Sequence, residues 1–163
     1  MLEVVAYPAA VLAVPALAVV NIDQLVKITV SQMTEAMYLA GGVGLAAPQV
    51  GRSERIIVID HTAGNSSNAL LACINPRVVW ASPEQTVGEE GCLSLPGVSV
   101  MVPRSAAVDV EYLDTGGELR SRRLVGYEAR ILQHEVDHLD GIVMIDRTGP
   151  LSRRLALKEL KKR

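Results

Sequence analysis

The apolar residues of this chain recur with two periods, and the changes between them outline its elements. From about Asp23 to Ala40, Leu25, Ile28, Met33, Ala36, Met37 and Ala40 recur at close to 3.6 residues, which predicts an amphipathic helix. Asn21 or Asp23 can cap its start, and Gly41-Gly42 stops it. Arg55 to Asp60 (RIIVID) is a β-branched run and predicts a buried strand. The polar stretch His61 to Asn68 reads as a loop, with Asn65-Ser66-Ser67 as a turn within it. Leu70 to Trp80 predicts a second strand, in which Pro76 marks an edge or a bulge because it has no N–H to give to a ladder. Ala107 to Asp114 and Glu118 to Val125 flank Thr115-Gly116-Gly117, the pattern of a hairpin. A second helix is predicted from about Tyr127 to Leu139, ending at Asp140-Gly141. Ala129, Leu132, Val136 and Leu139 make its core face, while His134 and His138 lie on roughly the opposite face, one turn apart. Ile131 is near that pair and Glu135 flanks it. The stretch from Leu151 to Arg163 fits a third helix with an apolar stripe of Leu151 and Leu155.

Strands first, then a hairpin, then a helix argue for an α+β fold with mostly antiparallel sheet rather than alternating βαβ units. The expected arrangement is antiparallel sheets around a central helix carrying His134 to His138, followed by a basic C-terminal helix. No repeat or low-complexity linker interrupts residues 1–163, so one catalytic domain is expected. The uncharged stretch Val4 to Val20 does not fit a signal peptide: the first basic residue is Lys27, and Glu3 stands where positive charge is wanted. Pro8 and Pro15 interrupt any helix there, so an irregular or edge-strand segment packed on the core is expected, with neither a membrane span nor a secretory route.

Composition changes this picture little. Apolar residues make up 49% and charged residues 21%, as in ordinary globular chains. With no Phe, the core must be built from Val, Leu, Ile, Ala and Met. A formal net charge of −2 gives no overall sign of nucleic-acid binding. Six basic residues do gather in the tail: Arg153, Arg154, Lys158, Lys161, Lys162 and Arg163, against the single acid Glu159. The two cysteines, Cys73 and Cys92, are too few for a disulfide framework.

The chemistry concentrates in His134-Glu135-Val136-Asp137-His138, an HExxH pattern. Imidazoles at i and i+4 of a helix stand side by side and can grip one ion, and the intervening Glu can reach a water on that ion without ligating it. Two unpaired imidazoles on a buried helix would be costly, and metal ligation resolves that cost. His61, the third histidine, follows a strand into a polar loop and reads as surface. A catalytic metal needs a third protein ligand and an open fourth position. No His follows His138, and the only later Glu, Glu159, lies in the basic tail. A protease-like ligand downstream is therefore lacking, and the third ligand is expected upstream, with Cys92 in Glu90-Gly91-Cys92-Leu93-Ser94 as the candidate. A closed, purely structural site would need a fourth donor, for which Cys73 is the only spare thiol. Gly42-Val43-Gly44-Leu45-Ala46-Ala47-Pro48-Gln49 has no Lys-Ser/Thr ending and is not a phosphate loop. Its small residues allow close approach of a substrate backbone, and Gln49 offers an amide donor.

Taken in order, the Gly42–Gln49, Glu90–Ser94 and Gln133–His138 segments resemble the peptide deformylases, whose three motifs are all intact here. The resemblance extends to Ile74-Asn75-Pro76 and to a basic C-terminal helix. It departs at Ala9-Ala10-Val11-Leu12-Ala13, where the family often has a charged stretch. It departs again after Ser94, where some members place an arginine that grips the peptide and this chain offers none before Arg104. The resemblance implies removal of the N-formyl group from the formyl-methionine end of newly made chains, with release of formate. It implies one divalent metal, Fe²⁺ foremost with Zn²⁺ or Ni²⁺ possible, on Cys92, His134 and His138. The metal-bound water would attack the formyl carbon with Glu135 as general acid/base, while Gln49 and the Leu93 N–H hold the oxyanion. Val43, Gly44, Tyr127 and Ile131 would receive the methionine and its backbone. A cytoplasmic location, nascent peptides as partners, and docking of the basic tail on the ribosome follow from the same likeness, with no role for DNA or membrane.

Overall fold

In the computed structural model, which describes residues Met1–Arg163, the four residues of β2 (Ile56–Ile59) are all buried. The strand's alternation explains why. Ile56 and Val58 point into one core and Ile57 and Ile59 into another, on the opposite face of the sheet. β2 pairs on one side with β1 (Gly44–Ala46) and on the other with β3 (Leu71–Ala81). Two further strands, β6 (Ala107–Leu113) and β7 (Leu119–Val125), complete a five-stranded antiparallel sheet in the order β1-β2-β3-β6-β7. β4 (Gln85–Cys92) and β5 (Leu95–Ser105) form a separate antiparallel pair.

Helix α1 (Gln24–Leu39) covers one face of the sheet. Asp23 caps it by accepting from the Val26 N–H at 3.1 Å. The buried face consists of Val26, Val30, Met33, Ala36 and Met37, which meet Ile56, Val58 and Ile74. Burying each of the Val and Met side chains contributes roughly 1.5–3 kcal/mol. Three positions of the expected stripe are not in the core: Leu25 is 69% and Ile28 43% exposed, and Ala40 is exposed as well. The apolar stripe lies one residue further along because Val26, Thr29 and Val30, rather than Leu25 and Ile28, fall opposite the sheet.

Helix α2 (Gly126–Leu139) packs on the other face, with Ala129, Leu132 and Leu139 against Ile57, Ile59, Val108 and Val110. A third core joins Val98, Val100 and Val102 of β5 to Leu12, Met144, Ile145 and Ala156. Ala156 belongs to α3 (Pro150–Leu160), which rests on β5. Here the expected stripe is corrected: Leu151 and Leu155 are 60% and 56% exposed, and α3 packs through Ala156 with Leu157 and Leu160. The small Ala156 side chain is what lets the helix approach the strand.

Pro76 sits at an irregularity in the β3–β6 register, between Ile74 and Arg77, on an interior strand rather than an edge. Its neighbour Asn75 ties down the irregular N-terminal segment, donating to the Val19 carbonyl at 2.9 Å and accepting from the Val19 N–H at 2.8 Å. That segment contains a 3₁₀ turn at Ala10–Ala13, whose Leu12 is buried. It also straps two loops of the site, through Val5 N–H to the Gln49 carbonyl and Tyr7 N–H to the Ser94 carbonyl, both at 2.8 Å. No helix is long and apolar enough to cross a membrane.

Candidate metal centre and active site

Helix α2 presents His134, Glu135 and His138 away from its sheet-facing stripe, yet all three are buried, because the β4–β5 pair closes over that side. Cys92 ends β4 at a register shift between Gly91 and Cys92, which turns its thiol toward the helix. The Cys92 Sγ lies 3.4 Å from His138 Nε2, and the two imidazole rings stand 5.0 Å apart, edge to face. One donor atom each from Cys92, His134 and His138 lies within 4.8 Å of the others. The spare thiol, Cys73, is not among them. It is buried in the sheet–α2 core, where burial pushes its pKa up to about 12.

The histidines are oriented by groups that sequence reasoning assigned no role. His134 Nδ1 donates to Glu90 Oε1 at 2.8 Å, which leaves Nε2 for the centre. Glu90 is itself gripped by Arg104, Nε to Oε2 and Nη2 to Oε1, both at 2.9 Å, and by Arg130 at 2.7 Å. Burial alone would raise the Glu90 pKa. The hydrogen bonds from Arg104 and His134 outweigh it and hold the carboxyl at about 2. Arg104 also donates to Asp137 at 2.6 Å, and Arg147 forks onto the same carboxylate at 3.0 and 2.8 Å. Arg104, the first arginine after Ser94, is thus enclosed in a buried ion network and is no peptide grip. Glu90 and Asp137 stand inside two of the quoted motifs, and that was the available signal. Arg104 carried none, because only the fold brings β5 against α2.

In the metal-free centre burial alone would lower the His134 pKa, but the hydrogen bonds with Cys92 and Glu90 outweigh it and push it up to about 10. Burial, and then that charged ring, hold His138 well below the ordinary imidazole pKa, so the His138 ring is neutral with a lone pair to give. Burial pushes the Glu135 carboxyl up to about 7, into the range where it can both take and release a proton at neutral pH. Glu135 Oε2 is buried without a hydrogen-bond partner. A cysteine sulfur and two imidazoles, with one side open, match the ligand types of a catalytic divalent-metal site.

The open side is a cavity of about 520 Å³. Cys92, His134 and Glu135 form its floor, and Val43, Gly44, Tyr127 and Ile131 line it. His138 lies behind the floor, fully buried. Gln49 lies on a 3₁₀ turn (Ala47–Val50) at the cavity wall. Its Oε1 accepts from the Ala46 N–H at 2.9 Å, which turns Nε2 toward Ser94 Oγ (3.3 Å) and Cys92 Sγ (3.5 Å). Leu93 occupies the turn between β4 and β5. Gly44 starts β1, the edge strand of the large sheet, beside the cavity. His61 is exposed and reaches only Glu128, at 3.3 Å.

The profile of the polypeptide deformylase family matches residues 1–154. The chain is 46% identical over 142 residues to a peptide deformylase of Thermotoga neapolitana, covering 87% of this chain and 84% of that one. It is 42% identical to one of Thermodesulfovibrio yellowstonii, covering 99% and 97%. The crystal structure of a peptide deformylase from Legionella pneumophila superposes with a TM-score of 0.94 at 35% identity, over 99% of this chain and 94% of that one.

Proposed function

The chain belongs to the polypeptide deformylase family of enzymes, and from that premise we propose that it removes the N-formyl group from formyl-methionyl nascent chains, releasing formate. The observation that carries this reading is the meeting of Cys92, His134 and Glu135 at one wall of a cavity beside an edge strand, with His138 buried directly behind them. Cys92, His134 and His138 would hold one divalent cation, Fe²⁺ foremost, with Zn²⁺ or Ni²⁺ able to use the same donors. Such a cation supplies Lewis acidity, lowering the pKa of a water and polarising the formyl oxygen.

The remaining work falls to the chain itself. Glu135 takes the proton of the attacking water and returns it to the departing amine nitrogen. The Gln49 Nε2 amide and the Leu93 N–H donate to the oxygen on which charge develops. The peptide backbone adds to the free edge of β1 at Gly44, and Val43, Tyr127 and Ile131 receive the methionine side chain. The enzyme acts in the cytoplasm, and the basic residues of the tail dock it on ribosomal RNA.

The test is formate release from formyl-Met-Ala-Ser by protein purified without air and loaded with Fe²⁺, beside Glu135→Ala. The wild type is expected to release formate, and the variant to bind metal and release none. Metal bound by the wild type without formate release would overturn the reading.

A further inference from the structure

Helix α1 buries one face against the sheet, and its outer face has the make-up of a contact surface rather than of a solvated one. A surface helix usually covers its solvent side with charged residues. In α1 the only charged residues are Lys27 and Glu35. Both are exposed, and neither has an ion-pair partner in the chain. Around them three aliphatic side chains stand in solvent: Leu25 (69% exposed), Ile28 (43%) and Leu39 (65%). Spacing gives this face a symmetry. Lys27 and Glu35 lie four residues before and four after the exposed Ser31, so the three side chains share one face, about a turn apart. At about 100° per residue, Leu25, Ile28 and Leu39 all fall to the same side of that line.

We propose that the outer face of α1 is a self-association surface, on which a second copy of this chain docks antiparallel about a two-fold axis beside Ser31. The two-fold exchanges the positions four residues before and after Ser31. Lys27 of each copy therefore meets Glu35 of the other, and both charges find the partner they lack within the chain. The same operation sets the Leu25, Ile28 and Leu39 side of one helix beside the same side of the other, which takes exposed aliphatic surface out of water. Ser31 at the axis is small enough for the two helices to approach closely. The free edge of β7 offers no such match, because a two-fold at Arg122 sets the arginines of one copy beside those of the other. A pair of 16-residue helices is a small interface beside the roughly 1,200–2,000 Å² of a tight complex, so the dimer forms as concentration rises. None of these residues lines the active-site cavity, and the inference does not rest on the deformylase reading.

The measurement is sedimentation equilibrium of the full-length, Zn²⁺-loaded protein over a series from micromolar to millimolar. The mass is expected to rise from 17.5 kDa toward twice that value. Lys27→Glu and Glu35→Lys each set two like-charge pairs across the axis and are each expected to weaken association roughly tenfold. The double variant Lys27→Glu/Glu35→Lys restores opposite charges and is expected to associate like the wild type. Ser31→Cys is expected to give a disulfide-linked dimer on oxidation, because the axis brings the two thiols together. The wild type, with Cys73 buried and Cys92 at the metal centre, is expected to give none. All three positions are exposed, so the variants are expected to melt with the wild type. A monomer throughout the series, association that survives both single reversals, or no recovery in the double variant overturns the proposal. Formate release per chain is expected to be equal in all of these proteins, and its absence would count against the deformylase reading alone.

Discussion

Gly44 shows how narrow the tolerance of the site is. A Cβ placed there would stand 2.5 Å from Glu135 Oε1 and 2.9 Å from Ile131 Cγ2. Both neighbours are side chains, so Gly44→Ala can fold, but only by pushing the Glu135 carboxylate off its position. A displacement of about 1 Å at a proton-transfer group can cost about 10²-fold in rate. Gly44→Ala is therefore expected to lower kcat by roughly that factor, with bound metal unchanged because none of the three ligands moves. Steady-state kinetics with metal analysis of the same sample checks this. Unchanged kcat would mean that the carboxylate has more room than the geometry shows.

At the scale of elements, the β4–β5 pair and α2 are joined through ions rather than through a common apolar core. Arg104 of β5 holds Glu90 of β4 and Asp137 of α2 at once, all three buried. Removing one partner of such a buried network leaves charge without compensation, at a cost of about 3–5 kcal/mol. Arg130 and Arg147 still hold Glu90 and Asp137, which places Arg104→Ala at the lower end, about 3 kcal/mol. For a chain of this size that is a fall in Tm of roughly 10 °C. Because His134 loses the fixed position of its Glu90 acceptor, metal affinity is expected to fall as well. Thermal melts and metal competition measure the two effects; an unshifted Tm would remove Arg104 from the joint.

For the whole molecule, charge is distributed unevenly. The chain carries −2 overall, while six of its cations lie in the last eleven residues. Within that tail Arg153 pairs with Asp146 and Lys162 with Glu159, but Arg154, Lys158, Lys161 and Arg163 have no ion-pair partner. Of these, Arg154, Lys158 and Lys161 do not line the active-site cavity and are available for a polyanion. If the tail docks on ribosomal RNA, reversing them together (Arg154→Glu, Lys158→Glu, Lys161→Glu) is expected to weaken co-sedimentation with ribosomes. It should also reduce the dependence of log K on log salt by roughly 2–3. Formate release from small peptides should not change. Equal pelleting of both proteins would rule the tail out.

Much of this was readable along the chain. The limits of α1, β2, β3, the β6–β7 hairpin and α2 follow from local periodicity and turn residues, because each is decided by neighbours within a few positions. The grouping of Cys92 with His134 and His138 was readable too, since it needed only a helical spacing and the shortage of other ligands. Three things were not. β4, with its glycines, acids and exposed Val87, has no clean alternation, and only its pairing with β5 makes a strand of it. Which side of α1 and of α3 is buried depends on where the sheet and β5 lie: α1 keeps Met33, Ala36 and Met37 but takes Val26 and Val30 in place of Leu25 and Ile28, and α3 leaves Leu151 and Leu155 outside. The role of Arg104 comes from a contact between residues 33 positions apart. Sequence by itself fixes what depends on local spacing and on residue chemistry. The tertiary structure decides what depends on long-range contact, because burial, charge pairing and the continuity of a cavity exist only once distant segments meet.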